Sequence, residues 1–283
     1  MTTRRSWLIY GVLLAIWAVL LGWQAIEHTR GSRRHTQYRL ADGTLVPGIT
    51  TVTGLLDKPG LAVAANRLGL QGIDSGIHWK GLASIGSLAH KLIEHRLKLT
   101  DPTTDLRDFT ANEIESARKS ESKFSQWIAQ RQFEYIDSEF QLVSEKHRYG
   151  GTGDCFARVN GKLSYVDFKT GGLYLEAEMQ GAANAENLIE NDRGQVEQFI
   201  LLGLPRNDEE DFHEKVVAVG ERRHELLFLM FLSLRDAYGY RQELESVKKI
   251  ALRNAANNVV PWEDVQLNAQ LRASIIAKGG APA

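Results

Sequence analysis

Residues 150–172 have the sequence GGTGDCFARVNGKLSYVDFKTGG and predict a β-hairpin. The dipeptide Asn160-Gly161 at its centre is a strong hairpin signal, because a type I′ turn needs positive φ at both central residues. Counting outward from this turn places Asp154 directly opposite Asp167, with Cβ atoms about 4.5 to 5.5 Å apart. The sequence therefore predicts two carboxylates that face each other on one side of the hairpin.

Side-chain alternation gives the predicted hairpin one apolar and one polar face. The apolar face, which we expect to contact the core, carries Cys155, Ala157, Val159, Val166 and Phe168. The opposite face carries Asp154, Phe156, Arg158, Tyr165, Asp167 and Lys169. Because Lys169 follows Asp167 by two residues, its ammonium leans over the same face as the acid pair.

The paired acids indicate a cation site. Like charges directly opposed in a sheet are destabilising, and a divalent cation such as Mg²⁺ neutralises them. Such an ion polarises a phosphoryl oxygen and activates a water, while a nearby ammonium orients that water. The constellation therefore suits hydrolysis of a phosphodiester.

A simpler interpretation stays open for the triplet Asp167-Phe168-Lys169. D-x-K triplets occur by chance, and Lys169 would then form only a surface ion pair, worth about 0 to 1 kcal/mol. The opposed Asp154 and the Gly-rich residues 149–154, YGGTGD, favour a functional site over this interpretation.

The remainder of the chain indicates the α/β class, with helices around a small central mixed sheet. A short strand pair is expected before residue 56. Helices are predicted at residues 61–70, 82–99, 110–137, 174–190 and 222–245, and strands at 139–148, 152–159, 162–169, 196–203 and 214–219.

Composition limits the function classes. The chain has 283 residues and a net charge of −1, so no global basic field points to nucleic acid or anionic lipid, and any polyanion site must be local. The single cysteine, Cys155, excludes an internal disulfide framework and a CxxC zinc site, and fits a reducing compartment.

Residues 7–26, WLIYGVLLAIWAVLLGWQAI, predict one N-terminal transmembrane helix, since about 20 apolar residues span a bilayer core. The heavier basic flank follows this run, which places the rest of the chain in the cytoplasm, anchored to the inner membrane. We expect residues 1–34 to form the anchor with a polar linker, and residues 35–283 to form the catalytic domain. A start site assigned too far upstream is the alternative.

The motifs "GGTGD" and "DFKT" on one hairpin resemble the PD-(D/E)XK nuclease superfamily, in particular its RecB-like exonuclease branch with phage-type members. Three further matches occur in order: YRLADGTLVPGITTVTGLLDKPGL before the helices, GSLAHKLIEHRL in a helix, and EMQGAAN after the hairpin. The resemblance covers most of residues 37–200. It implies a restriction-endonuclease-like fold and a DNA nuclease dependent on Mg²⁺ or Mn²⁺.

The resemblance implies roles for particular residues. Asp154 and Asp167 would bind the metal, together with His90 and the backbone carbonyl of Phe168. Lys169 would be the catalytic lysine that positions the attacking water.

Two further residues complete the implied catalytic set. Glu94 lies one helical turn beyond His90 and would bind the ion through water. Gln180 would orient the site or contact the scissile strand.

The sequence departs from the family pattern at two positions. Asn184 stands where the family has a tyrosine four residues after the glutamine, and Gly153 replaces the proline of the nominal motif. Glu139 and Glu178 could approach the metal, but the structural interpretation is preferred for both. Residues 145–148 are interpreted as a solvated strand, with phosphate contact as the alternative. Cys155 is predicted to point into the core.

The sequence thus predicts a metal-dependent DNA nuclease, and the resemblance favours an exonuclease over an endonuclease. Two alternatives stay open: a nucleic-acid-binding module of the same fold that lacks catalysis, and a membrane-anchored interaction protein.

Overall fold

The computed structural model describes residues 36–256, and residues 38–256 belong to one compact unit. The predicted membrane anchor at residues 7–26 and its linker lie outside the described residues and stay predictions. Within residues 36–256, none of the helices has the length and apolar content needed to cross a bilayer.

Seven strands and six α-helices make up the described chain. The strands are β1 (Tyr38–Arg39), β2 (Leu45–Val46), β3 (Phe133–Ser144), β4 (Tyr149–Val159), β5 (Lys162–Thr170), β6 (Gln198–Leu204) and β7 (His213–Ala218). The helices are α1 (Ile49–Thr53), α2 (Pro59–Leu70), α3 (Ser75–Lys98), α4 (Ala111–Ala129), α5 (Leu175–Glu190) and α6 (Arg222–Ala256), with a 3-10 turn at Asp105–Asp108.

The five long strands form one mixed sheet in the order β3-β4-β5-β6-β7. β5 and β6 are parallel and are connected by α5, whereas the other neighbouring pairs are antiparallel. β1 and β2 form a separate two-stranded ribbon. The predicted α/β class, with a small mixed sheet flanked by helices, is confirmed.

The β4–β5 hairpin has the predicted turn and register. Asn160 and Gly161 adopt φ of 51° and 83°, as a type I′ turn requires. Paired residues run from Val159 and Lys162 at the turn to Cys155 and Val166. Asp154 and Asp167 come next in this register but are not paired, so the ladder ends immediately before the acids.

Helices cover both faces of the sheet, which corrects the expectation of one polar face. On one face, α3 and α4 contribute Ile93, Phe124 and Trp127 to a core with Cys155, Val166 and Phe168 of the hairpin. On the other face, α5 and α6 pack against Phe156 and Tyr165, which are buried although they were predicted to lie on the polar face. A sheet that contains a parallel pair with a crossover helix is generally covered on both sides.

The helix predicted at residues 110–137 is wrong in its second part. α4 ends at Ala129, and β3 begins at Phe133, where alternating Phe133, Glu134 and Tyr135 pair with β4. The ladder shifts by one residue between Tyr135 and Asp137, which is a β-bulge. Residues 145–148 form a turn and not the solvated strand that was expected.

Candidate metal centre and hydrolytic site

Helix α3 presents His90 to the sheet. Its neighbours Leu88, Ala89, Leu92 and Ile93 are buried, which fixes the orientation of this part of the helix against the core. The His90 ring packs edge-on against Phe168 of β5, with ring centroids 5.9 Å apart. An imidazole is thereby held beside the point where β4 and β5 separate.

Two carboxylates join His90. Its Nδ1 lies 3.4 Å from Asp154 Oδ1 and 4.0 Å from Glu139 Oε1. One potential ligand atom from each of these three residues lies within 4.8 Å of the other two. We call this group the His90–Glu139–Asp154 triad.

The ladder between β3 and β4 explains why Glu139 is present. Ser138 pairs with Cys155 and Phe140 pairs with Gly153, so Glu139 and Asp154 stand opposite each other between these pairs. Glu139 has φ of 54°, a left-handed conformation that a non-glycine residue seldom adopts. The unusual backbone interrupts regular pairing at the position where the two carboxylates meet.

The same interruption decides which way Asp154 points. A Cβ added to Gly153 would lie 2.2 Å from the Phe140 ring, on the α5 side, and Phe156 belongs to the core on that side too. Gly153 and Phe156, which are three residues apart, therefore both face α5, so the regular alternation of the strand is broken between them. The Asp154 carboxylate reaches His90 of α3, and the ladder does not pair Asp154 with Asp167 as the sequence predicts.

The Asp154 carboxylate is held in the ionised form. Its Oδ2 accepts a hydrogen bond of 2.8 Å from the backbone N–H of Phe168. Burial raises the pKa of Asp154, but His90, Lys169 and the Phe168 amide outweigh burial and lower it to about 2. The Asp154 side chain thus accepts a hydrogen bond from β5 where backbone pairing between β4 and β5 has ended. With this pKa, the carboxylate carries a full negative charge near neutral pH.

Asp167 belongs to a second, adjacent group. The Lys169 ammonium lies 2.6 Å from Asp167 Oδ2 as an ion pair, and the Tyr165 hydroxyl donates to Asp167 Oδ1 at 2.8 Å. Asn184 Nδ2 in turn donates to the Tyr165 hydroxyl at 3.0 Å. Asn184 therefore supports Asp167 through the Tyr165 hydroxyl.

Charge couples this second group to the triad. Burial lowers the pKa of Lys169, but the negative charges of Asp167 and Asp154 outweigh it and raise that pKa, which keeps the ammonium protonated. Burial and the charge of Asp154 raise the pKa of Asp167, in spite of the opposing effect of Lys169. Asp154 thus interacts with both groups.

The triad also perturbs its own members. Burial lowers the pKa of His90, but Asp154 outweighs burial and raises it. Burial and the charge of Asp154 raise the pKa of Glu139. The charge interaction with His90 opposes burial at both acids, because it lowers the pKa of Asp154 and of Glu139.

The donor set fits a divalent metal ion. Two carboxylates and one imidazole nitrogen offer ligand atoms that converge within 4.8 Å. Carboxylate oxygens suit Mg²⁺ and Mn²⁺, whereas imidazole is a more usual ligand of zinc, iron, nickel and copper. A cation here would also relieve the repulsion between Glu139 and Asp154.

The structure does not bring every predicted residue to the triad. Gln180 donates to Thr53 Oγ1 at 3.0 Å, which joins α5 to α1. Glu94 accepts from Lys98 at 2.6 Å, although its charge still affects the pKa of Glu139. Phe168 contributes its backbone N–H to Asp154, and its predicted role as a carbonyl ligand stays untested.

Glu139 is the residue that the sequence interpretation missed, because it was taken as structural. The other acid with that interpretation, Glu178, forms ion pairs with Lys215 and Arg223 and joins α5 to β7 and α6. The signal for Glu139 was the register of β3 against β4, which is invisible until the β-bulge is known.

Glycines at the start of β4 allow close packing beside the site. A Cβ on Gly150 would lie 2.2 Å from the Tyr38 ring, and one on Gly151 would lie 2.5 Å from Ile49 and 2.6 Å from Asn184 Oδ1. The glycines of YGGTGD thus serve close contact with β1, α1 and α5.

Comparisons with solved structures give distant likenesses. The chain matches no protein-family model and no curated protein. It is similar to a solved structure from Eubacterium rectale named "Putative exonuclease", with 12% sequence identity and a TM-score of 0.38. The match covers 54% of this chain and 68% of that chain. A likeness at this level carries no argument about function.

Proposed function

We propose that this protein is a metal-dependent nuclease that hydrolyses phosphodiester bonds of DNA. The observation that carries the proposal is the convergence of His90, Glu139 and Asp154 beside the Asp167–Lys169 ion pair. A cation site next to an ammonium can stabilise the charge that develops in phosphodiester hydrolysis.

The triad would hold the ion, which we propose to be Mg²⁺ or Mn²⁺. When bound, such an ion polarises a phosphoryl oxygen and makes a coordinated water more acidic. Asp154 is suited to this role because it remains ionised across the neutral range. Asp167 lies next to the triad in the register and is the further acid we propose as a ligand.

Lys169 would act as a donor and not as a base. Its pKa is raised, and a protonated ammonium has no lone pair with which to accept a proton. Its Nζ would donate to the attacking water or to a phosphate oxygen. Tyr165 and Asn184 would hold Asp167, and through the ion pair they would hold Lys169 in place.

The order of these residues supports membership of the PD-(D/E)XK superfamily, RecB-like branch. His90 comes from a helix before the sheet, and Asp154, Asp167 and Lys169 come from one hairpin. By that resemblance we propose an exonuclease. We also propose a cytoplasmic nuclease domain that is anchored to the inner membrane through residues 7–26.

Metal binding tests the site independently of cleavage. Calorimetric titration of the full-length chain with Mn²⁺ and with Mg²⁺ should show binding that Glu139→Gln and Asp154→Asn weaken strongly. Glu134→Gln is the matched control, because Glu134 lies on the same strand and is exposed like Glu139, but is not part of the triad. Equal affinity in all variants would remove the proposed metal site.

Cleavage tests the function. Linear DNA, circular DNA and RNA are incubated with the full-length chain, with and without the ion. We expect ion-dependent loss of linear DNA, abolished by Lys169→Ala, with folding checked by circular dichroism. Cleavage that persists in Lys169→Ala would contradict the mechanism. Retained DNA binding without any cleavage would favour the alternative of an inactive binding module.

A further inference from the structure

The C-terminal part of α6 is exposed on every side. The first turns of this helix bury Leu227 and Phe231 in the core. From residue 241 to residue 250, in contrast, each side chain is exposed. This segment is about 15 Å long and continues a helix whose first turns are packed, but none of its own side chains is buried against the described chain.

One face of this part of α6 is apolar. Ala237, Tyr240, Leu244 and Val247 follow one another at intervals of three and four residues, which is the spacing of the a and d positions of a coiled coil. Tyr240 is 57% exposed and Leu244 is 71% exposed. The described part of the chain therefore leaves this face, which we call the α6 stripe, largely uncovered.

Charged residues beside the α6 stripe follow a heptad pattern. With Leu244 at position a, the g positions are acidic, Asp236 and Glu243, and the e positions are basic, Arg241 and Lys248. Charges at e and g set the choice and the orientation of the partner helix.

This pattern selects a parallel pair of identical helices. In a parallel pair, each g residue faces the following e residue of the other copy, so Glu243 meets Lys248 and Asp236 meets Arg241. In an antiparallel pair, g faces g and e faces e, so like charges would meet. A second copy of this chain thus offers complementary charges in one orientation alone.

We propose that α6 forms a parallel, in-register coiled coil with α6 of a second copy of this chain. The α6 stripe is the contact surface. The surface is short, so association depends on protein concentration. This inference does not rest on the proposed nuclease function.

Sedimentation equilibrium of the full-length chain tests the association. All samples contain the same mild detergent, because residues 7–26 are apolar. We expect twice the mass of one chain, with Leu244→Asp returning the protein to the mass of one chain. Glu245→Lys, at the outward b position, is the control and should remain paired. A single-chain mass for the unsubstituted protein, or pairing unaffected by Leu244→Asp, would overturn the proposal.

Charge reversal tests the partner contacts. Glu243→Lys places like charges at both symmetric g–e contacts and should raise the dissociation constant about tenfold. Adding Lys248→Glu to the same chain restores opposite charges and should restore most of the affinity. Failure of the double variant to recover affinity would contradict the pairing of these two residues.

Disulfide trapping tests the orientation. Cys155 is the chain's one native cysteine and is buried, so it gives little background. In a parallel pair, Tyr240→Cys and Leu244→Cys should each cross-link to the same position of the other copy. In an antiparallel pair, at most one of the two positions lies where the helices cross. Efficient cross-linking at both positions supports the proposal, and cross-linking at one or neither refutes the parallel arrangement.

Discussion

Tyr165→Phe removes a hydroxyl that joins two buried polar groups. The Tyr165 side chain is 0% exposed, and its hydroxyl donates to Asp167 and accepts from Asn184. The phenylalanine ring fills the same space, so no large cavity adds to the effect. The substitution therefore isolates the contribution of the two hydrogen bonds.

The expected destabilisation follows from the charge and burial of the partners. A hydrogen bond to a charged acceptor contributes about 1.5 to 3 kcal/mol, and a buried donor left unpaired costs about 1 to 3 kcal/mol. Asp167 and Asn184 are only 3% and 5% exposed, so water cannot readily replace the hydroxyl. We expect Tyr165→Phe to lower the free energy of unfolding by about 3 to 4 kcal/mol.

Tyr135→Phe is the matched control. The Tyr135 hydroxyl contacts the Ser138 hydroxyl at 3.0 Å in a partly buried setting, so its removal should cost about 0.5 to 1.5 kcal/mol. Equilibrium urea unfolding followed by circular dichroism measures both variants, with an unchanged slope as the check on two-state behaviour. Equal losses in the two variants, or a loss below about 1 kcal/mol for Tyr165→Phe, would refute the reasoning.

Two further stability predictions follow from the structure. Gly153→Ala places a Cβ 2.2 Å from the Phe140 ring and should lower the free energy of unfolding by about 1 to 3 kcal/mol. Gly69→Ala is the control, because Gly69 lies in a helix with open space around it. This substitution should raise the free energy of unfolding by about 0.5 to 1 kcal/mol. An equally stable Gly153→Ala protein would argue against the close packing of β4. Burial raises the pKa of Glu178, but its two cationic partners outweigh burial and lower it. The ionised Glu178 therefore stabilises the fold above the ordinary glutamate pKa, and this stabilisation is lost as pH falls through the lower pKa of the folded protein. The Glu178→Gln protein should be less stable than the unsubstituted protein by about 1 to 3 kcal/mol near pH 7. In acid the two proteins should have similar stability. A difference in stability that does not change with pH would contradict this assignment.

The sequence was sufficient where the signal is local. Asn160-Gly161 fixed the turn and the register of β4 with β5, because a two-residue turn leaves the chain little choice of pairing. The same local reasoning singled out Asp154, Asp167 and Lys169, which the structure divides between two adjacent groups. The identities of the site residues on the hairpin therefore required no tertiary information.

The sequence was insufficient where an irregular backbone changes the direction of a side chain. Alternation predicts that Asp154 and Asp167 share a face, but Glu139 has a left-handed backbone and the ladder is interrupted there. No propensity rule places a glutamate in that conformation within a strand. The contribution of Glu139 and the contact of Asp154 with His90 both depend on this interruption.

Long-range packing limited the remaining predictions. The residues around Phe133 have helical neighbours in sequence, and only pairing with β4 makes them a strand. The polar face predicted for the hairpin is covered because α5 and α6, which follow much later in the chain, pack on it. In both cases a partner that is distant in sequence overrides the local pattern.

The candidate site draws its groups from four separate elements, α3, β3, β4 and β5. A folding intermediate that contains only the β4–β5 hairpin would carry Asp154, Asp167 and Lys169 but would lack His90 and Glu139. Ligand affinity should therefore appear only in the final cooperative step of folding, and a bound ion should slow the opening of the whole sheet. Amide hydrogen exchange in these four elements would then slow together when the ion is added.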